Sequence, residues 1–424
     1  RDRSVSRGLG DVYKRQIIEE MELKSINEVI SNGYCLGCGL CHAIEKNTEI
    51  VERNGNLISN YSKKDRGHIA VCPGAGYDIV DSGKRIHSAK NYSYELGWYN
   101  ELNLVQSLDT TLLKKASSGG AMTTIALFML EKGYVDGVIC TKYTYDSPTP
   151  RPTTYIARNK EELIEGQGSK YCPTSTLSIL SQLQAEEKYV LIGTPCQIAG
   201  WRKYQKELNP SINIVLTLAN FCGGYRDFRE IDHFVHNVAK FDSVKHFQHR
   251  GDGVPGLMKI VDNNGREWKY PYPKYAQLSP IQKNNRCVYC IDATGELADI
   301  SCGDAWIKRI TDTGEAWSTI ILRNKKAQKL FSEMLEAKLF NLGKITENEV
   351  VESQRLNITS KKYRQYKRIK IKKILLQRVP DWYDGIKNMG GSYITECEIL
   401  LSKYIRSKLS ILYKSCLLYT SDAA

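Results

Sequence analysis

Three cysteines in one short loop, answered thirty residues later by a Cys-Pro, constrain this chain more than any other feature. Residues 33–42 read GYCLGCGLCH and place Cys35, Cys38 and Cys41 at C-x2-C-x2-C spacing; VCPG at 71–74 adds Cys72 before Pro73. Such a loop presents three thiolates to one centre, and Gly37 and Gly39 let the backbone wrap it without steric penalty. This run, closed by a Cys followed by Pro, is a common [4Fe–4S] loop. Its usual fourth ligand follows after three residues, but Glu45 stands there, so Cys72 is the expected fourth. C-x2-C pairs also suit zinc knuckles, which is the alternative. Three thiols at this spacing plus the Cys-Pro favour the iron–sulfur cluster.

The two ends read differently from the rest. Residues 1–16 (RDRSVSRGLGDVYKRQ) and 416–424 (CLLYTSDAA) show no apolar periodicity. They resemble translated adapter sequence, so 1–20 is read as a non-native leader, 416–424 as a non-native tail and Met21 as the start. No run of eighteen apolar residues is present, so no membrane span is expected. No apolar leader follows Met21, so thirteen cysteines point to metal in a reducing cytoplasm rather than to disulfides.

The charge is uneven. Of the net +13, residues 361–415 carry +10, and 17–360 is left with about +1. The body is therefore not a nucleic-acid-binding surface. The basic part interleaves Ile and Leu with Lys and Arg at helical spacing, which suits either weak contact with a membrane surface or partner, or a basic helix packed on the body.

The middle of the chain reads as α/β. The segment AMTTIALFMLEKG at 121–133 predicts a buried helix closed by Gly133. A second helix is expected at 175–188, a buried strand at 189–193, a helix from Pro195 and a strand at 212–221. Strand, helix, strand in that order predicts a parallel unit. Residues 257–272 predict a hairpin around Asn263-Asn264-Gly265. Further strands are expected at 298–306 and 318–324, and an amphipathic helix at 325–339. No dinucleotide-binding glycine fingerprint follows a strand.

A second set of cysteines lies inside this body. Cys196 opens a helix after a buried strand, where the helix dipole favours a thiolate. Cys222 follows the next strand, and Cys287 and Cys290 form another C-x2-C. These could hold a second [4Fe–4S] cluster or a zinc ion, with Cys302 a fifth candidate. Cys140, Cys172 and Cys397 read as ordinary packing. The seven His show no ligand spacing; His249, beside RGDG at 250–253, is the one exception noted.

Five blocks in order now carry a resemblance: KASSGGAMTT (115–124), EKGYVDGVI (131–139), GSKY (168–171), IGTPCQIAG (192–200) and CVYCIDATGELADISCGDAW (287–306). With the leading cysteine loop, they make residues 30–325 resemble the coenzyme F420 hydrogenase/dehydrogenase beta subunit family. The resemblance implies an oxidoreductase with FAD and two [4Fe–4S] clusters. It implies cluster ligation by Cys35, Cys38, Cys41 and Cys72, and by Cys196, Cys222, Cys287 and Cys290. It implies FAD contacts from Ser118, Gly119, Gly120, Gly168, Ser169, Lys170, Tyr171, Thr194 and Gln197. No catalytic residue follows from it. The expected fold is α+β or α/β: a ferredoxin-like segment at 21–85, an FAD-binding α/β body at 86–345 and a basic helical tail at 346–415. The expected partners are ferredoxin or another redox protein and a small-molecule hydride donor or acceptor. An electron-transfer subunit without its own substrate site and a zinc-stabilised module are the alternatives.

Overall fold

The apolar run at 189–193 predicts a strand buried on both faces. In the computed structural model, which describes residues 22–45, 47–61 and 67–405, it lies inside an eight-stranded mixed sheet. The strands in chain order are β1 (Ile50–Arg53), β2 (Asn56–Ser59), β3 (Asn91–Ser93), β4 (Gly97–Tyr99), β5 (Glu101–Ser107), β6 (Gly137–Thr144), β7 (Arg151–Ala157), β8 (Lys188–Gly193), β9 (Asn213–Asn220), β10 (Val244–Gly251), β11 (Leu257–Asp262), β12 (Glu267–Pro271), β13 (Ile300–Asp304), β14 (Ser318–Leu322) and β15 (Phe340–Gly343). The large sheet runs β15-β5-β14-β13-β9-β8-β6-β7. Its centre, β13, β9, β8 and β6, is parallel. Its flanks are antiparallel. Strands β10 to β12 form a separate antiparallel sheet that includes the expected hairpin.

Six helices matter to the site: α1 (Ile26–Ser31), α2 (Leu40–Ile44), α3 (Ala121–Glu131), α4 (Pro195–Leu208), α5 (Lys325–Glu336) and α6 (Gln365–Ile374). Alternation along the central strands divides the core. Val138 and Val190 face α3 and α5 on one side. Ile139, Tyr189 and Leu191 face Ile198 and Trp201 of α4 on the other, and Val29, Tyr34 and Leu40 of the first cysteine segment join that same cluster. Burying each such side chain stabilises the fold by about 1.5–3 kcal/mol. The cysteine segment is thus anchored directly to the sheet layer.

One expectation is corrected. The helix expected at 175–188 is only a 3-10 turn, Thr176–Gln182. The cause is a tertiary tie: the Leu177 N–H donates to the Cys38 carbonyl at 2.7 Å, and Leu177 and Leu180 fill the core beneath α2. Of the two readings of the basic tail, its described length follows the helix packed on the body. Lys361, Lys362, Lys367 and Arg368 are buried, with Arg368 Nε donating to Glu396 at 2.7 Å. The leader at 1–20, Met21 and the tail at 416–424 lie outside the described residues. Among those described, no helix is long and apolar enough to cross a membrane.

Candidate functional site

The first four cysteines converge. Cys35, Cys38, Cys41 and Cys72 line one pocket, walled by apolar neighbours such as Ile26, Val29 and Ile50. Gly37 and Gly39 sit at φ +61° and +89°, and a Cβ on Gly39 would lie 2.5 Å from the Ser178 nitrogen. Lys203 of α4 clamps the far loop, donating to the carbonyls of Cys72 (3.0 Å) and Gly76 (2.9 Å). Burial pushes the Cys35 thiol up to about 12, and it raises Cys38 and Cys41 too, with neighbouring thiols adding to each. Such thiols ionise together only when cations enter among them. The donor chemistry and the apolar walls fit a thiolate-held iron–sulfur cluster. Among the described residues, no group of three or more His, Cys, Asp or Glu is set to hold a single metal ion.

The second set assembles at the sheet's carboxyl edge. Cys196 follows β8 at the start of α4, and Cys222 follows the adjacent parallel strand β9. Open α/β sheets place ligands at this edge. Cys287 and Cys290 approach from the short helix Asn285–Val288 and its end. Burial pushes Cys196 up to about 12, and Cys222, Cys290 and Cys287 act on it in the same direction. Cys302 stands apart in β13, registered with Ile320 and Asn220 inside the core, and burial alone acts on it. Cys140 and Cys172 are buried as expected, whereas Cys397 is exposed rather than packed.

The two sets are stitched together. Arg286, fully buried, donates to the carbonyls of Pro73 (2.8 Å) and Gly74 (3.1 Å) and lies 4.3 Å from the Trp382 ring. Among the described residues, the Tyr225 hydroxyl is buried without a hydrogen-bond partner. Burial holds it protonated, and thiols of both sets act in the same direction: Cys287 and Cys196 of one, Cys35 and Cys38 of the other.

A third region gathers the remaining candidates. Gly120 is left-handed (φ +75°), and a Cβ on Gly119 would lie 2.5 Å from the Ser318 nitrogen, so this loop must hug β14. The Ser118 hydroxyl donates to the Trp317 carbonyl at 2.9 Å. Ser169 joins through the Ser117 hydroxyl, which accepts from its N–H at 3.1 Å. Gly168, at φ +92°, faces open space. Lys170 donates to the carbonyls of Gly166, Gln167 and Gly168 (2.6, 3.2 and 3.1 Å), and burial lowers it to about 8. Tyr171 stacks edge-on to His249 at 5.3 Å. Thr194 and Gln197 form a capping box, and the Gln197 amide also donates to Thr174 Oγ1 at 2.8 Å.

The structure adds residues that sequence reasoning missed. Arg250 lies beside the stacked rings of Tyr272 and Trp306, 4.7 and 4.8 Å from their centres, and pairs with Asp304 at 2.7 Å. His249 accepts or donates through Nδ1 to Tyr143 at 2.9 Å, while its Nε2 is buried without a partner among the described residues. The RGDG run beside His249 was the available signal. Nothing in the spacing marked Tyr225 or Tyr272.

Two family models match the chain. That for the coenzyme F420 hydrogenase/dehydrogenase beta subunit N-term covers residues 104–181, and that for the C terminus of the same subunit covers 186–348. The coenzyme F420 hydrogenase subunit beta of Methanococcus voltae is 27% identical over 255 residues, covering 57% of this chain and 83% of that protein. The coenzyme F420-dependent sulfite reductase of Methanocaldococcus jannaschii is 26% identical over 333 residues, covering 72% and 46% respectively. A chain of the F420-reducing [NiFe] hydrogenase complex from Methanosarcina barkeri shares the fold, with TM-score 0.53 and 22% identity over 67% of this chain and 96% of that one.

Proposed function

Because the chain belongs to the coenzyme F420 hydrogenase/dehydrogenase beta subunit family, we propose that it is an oxidoreductase linking a hydride-exchanging small molecule to one-electron carriers. Coenzyme F420 or a small metabolite is the proposed hydride partner, and ferredoxin or another redox protein the electron partner. The observation that carries this reading is Arg286, the residue before Cys287, whose guanidinium donates to the carbonyls of Pro73 and Gly74 beside Cys72. Two thiol-lined centres tied by one buried side chain suit electron passage between them. Relatives named as subunits of hydrogenases and formate dehydrogenases support a role beside other subunits.

Cys35, Cys38, Cys41 and Cys72 would hold one [4Fe–4S] cluster, and Cys196, Cys222, Cys287 and Cys290 the other. The loops at 118–120 and 168–171, with Thr194 and Gln197, would hold FAD. When bound, FAD would exchange a hydride with the small molecule and single electrons with the clusters. This chain's own residues set the surroundings. The α3 amino end offers unpaired N–H groups to phosphate. Arg250, held beside the Tyr272 and Trp306 rings and paired with Asp304, can orient an anionic or aromatic ligand. Apolar walls and the Arg286 stitch exclude water from between the cysteine sets.

The test is anaerobic mixing of the purified protein with reduced coenzyme F420 and oxidised ferredoxin. One donor consumed per about two ferredoxins reduced supports the reading, as does a Cys35→Ser variant that still bleaches flavin but delivers no electrons. Protein that no hydride donor reduces would contradict it.

A further inference from the structure

The strongest unexplained feature is a group of lysines around the second cysteine set, two of them from the C-terminal segment. Lys361, buried, places its ammonium 3.6 Å from Cys290 Sγ and donates to the Asp292 carbonyl at 2.7 Å. Lys403 has a buried ammonium with no hydrogen-bond partner among the described residues, and it interacts electrostatically with Cys287. Lys283, from the body, donates to the Gly223 carbonyl at 3.0 Å, beside Cys222. The segment that brings Lys361 and Lys403 is fastened to the Cys287–Cys290 loop. Gln365 Nε2 and Arg368 Nη1 of α6 both donate to the Val288 carbonyl, at 2.7 and 3.2 Å. The nearby carboxylate, Asp292, accepts from the Gly295 and Glu296 N–H groups of its own turn.

Buried ammonium groups are costly unless an opposite charge compensates them. The carbonyls fastened to Lys361 and Lys283 do not neutralise a charge; Asp292 acts on Lys361 in part, whereas no carboxylate among the described residues is seen to act on Lys403. Four thiolates around a cluster would supply an anion to both. Both tail lysines lie beyond residue 348, where the family match ends.

We infer that Lys361 and Lys403 form a cationic clamp that sets the reduction potential of the centre held by Cys196, Cys222, Cys287 and Cys290. The inference rests on the reading that this set holds a [4Fe–4S] cluster. Lys361 and Lys403 are positioning residues that act on the ligands, not the reactants, and Lys361 touches the Cys290 sulfur. Reduction of such a cluster adds one negative charge, and a cation held at its ligands stabilises the reduced form. The tail thereby makes the second centre easier to reduce.

The test is an EPR-monitored potentiometric titration of the full chain, reconstituted anaerobically, with iron and sulfide analysis of each variant. Lys361→Met and Lys403→Met each shift the reduced-to-oxidised ratio of one centre about tenfold toward oxidised at fixed potential, or about 59 mV for one electron. Lys361→Arg restores the wild-type value, and the other centre does not move. Lys403→Met breaks no hydrogen bond, so it reports on charge even if Lys361→Met folds poorly. Unchanged potentials with full iron content would overturn the clamp and leave the cluster reading standing. Iron content unmoved by Cys287→Ser would overturn both, and that result is distinguishable from the first.

Discussion

Arg286, which precedes Cys287, donates a 2.8 Å hydrogen bond through Nη2 to the carbonyl of Pro73, which follows Cys72. One buried guanidinium therefore ties the ends of two cysteine loops that are more than two hundred residues apart in sequence. Its Nε reaches the Gly74 carbonyl, and Trp382 covers its face.

Replacing Arg286 by Leu removes both bonds; the Pro73 carbonyl keeps the Gly76 N–H at 3.3 Å, and the Gly74 carbonyl loses its side-chain donor. The expected loss is about 3 kcal/mol or more, since hydrogen bonds to charged groups contribute about 1.5–3 kcal/mol each. Denaturant unfolding measures it. Arg286→Lys does not restore stability, because a single ammonium cannot reproduce the fork that spans two carbonyls. Full stability in Arg286→Leu would show that the two loops are held by other contacts.

Gly39 tolerates no side chain. Its φ of +89° is left-handed, and a Cβ would meet Ser175 Oγ and the Ser178 nitrogen at 2.5 Å. The conformation costs about 1–2 kcal/mol for an L-residue and the overlap about 1–3 kcal/mol more. Gly39→Ala is expected to lose roughly half of the bound iron, about four of about eight atoms, while flavin content is kept. Iron analysis beside the visible spectrum checks this.

Lys170 predicts a pH dependence of stability. Burial lowers it from 10.5 to about 8, with Cys140 and Cys172 acting against the shift. Between about 8 and 10.5 the unfolded chain therefore binds more protons than the folded one. Stability contributed by this group rises with pH across that window. The difference between wild type and Lys170→Met, followed by denaturant unfolding from pH 7.5 to 10.5, should show that slope. Parallel curves for the two proteins would contradict it.

Arg250 is expected to act on ligand binding alone. Arg250→Lys keeps a positive charge near Asp304 but loses the planar guanidinium that contacts the Tyr272 and Trp306 rings. Flavin affinity should fall about tenfold, or about 1.4 kcal/mol, with iron content unchanged. Equilibrium dialysis against FAD measures it.

Much of this was legible from residue pattern. The parallel β8–α4–β9 unit followed from a buried apolar run and Pro195 in the first helical turn. The gathering of Cys35, Cys38, Cys41 and Cys72 around one pocket followed from loop spacing and the Cys-Pro. What failed depended on distant partners. The segment at 175–188 has helical periodicity, yet its bond to the Cys38 carbonyl holds it in a 3-10 turn. The tail's lysines read as solvent-facing because no local pattern reveals that thiols from another layer await them. Arg286 and Tyr225 carry no motif; their roles arise only when two loops meet.

The most direct test of the account is anaerobic purification of the full chain followed by iron, sulfide, zinc and flavin analysis with a visible spectrum. The account predicts about eight iron and eight sulfide per chain with about one FAD, as two [4Fe–4S] centres and a flavin require. A colourless protein holding zinc and no flavin would contradict it and leave a zinc-stabilised module.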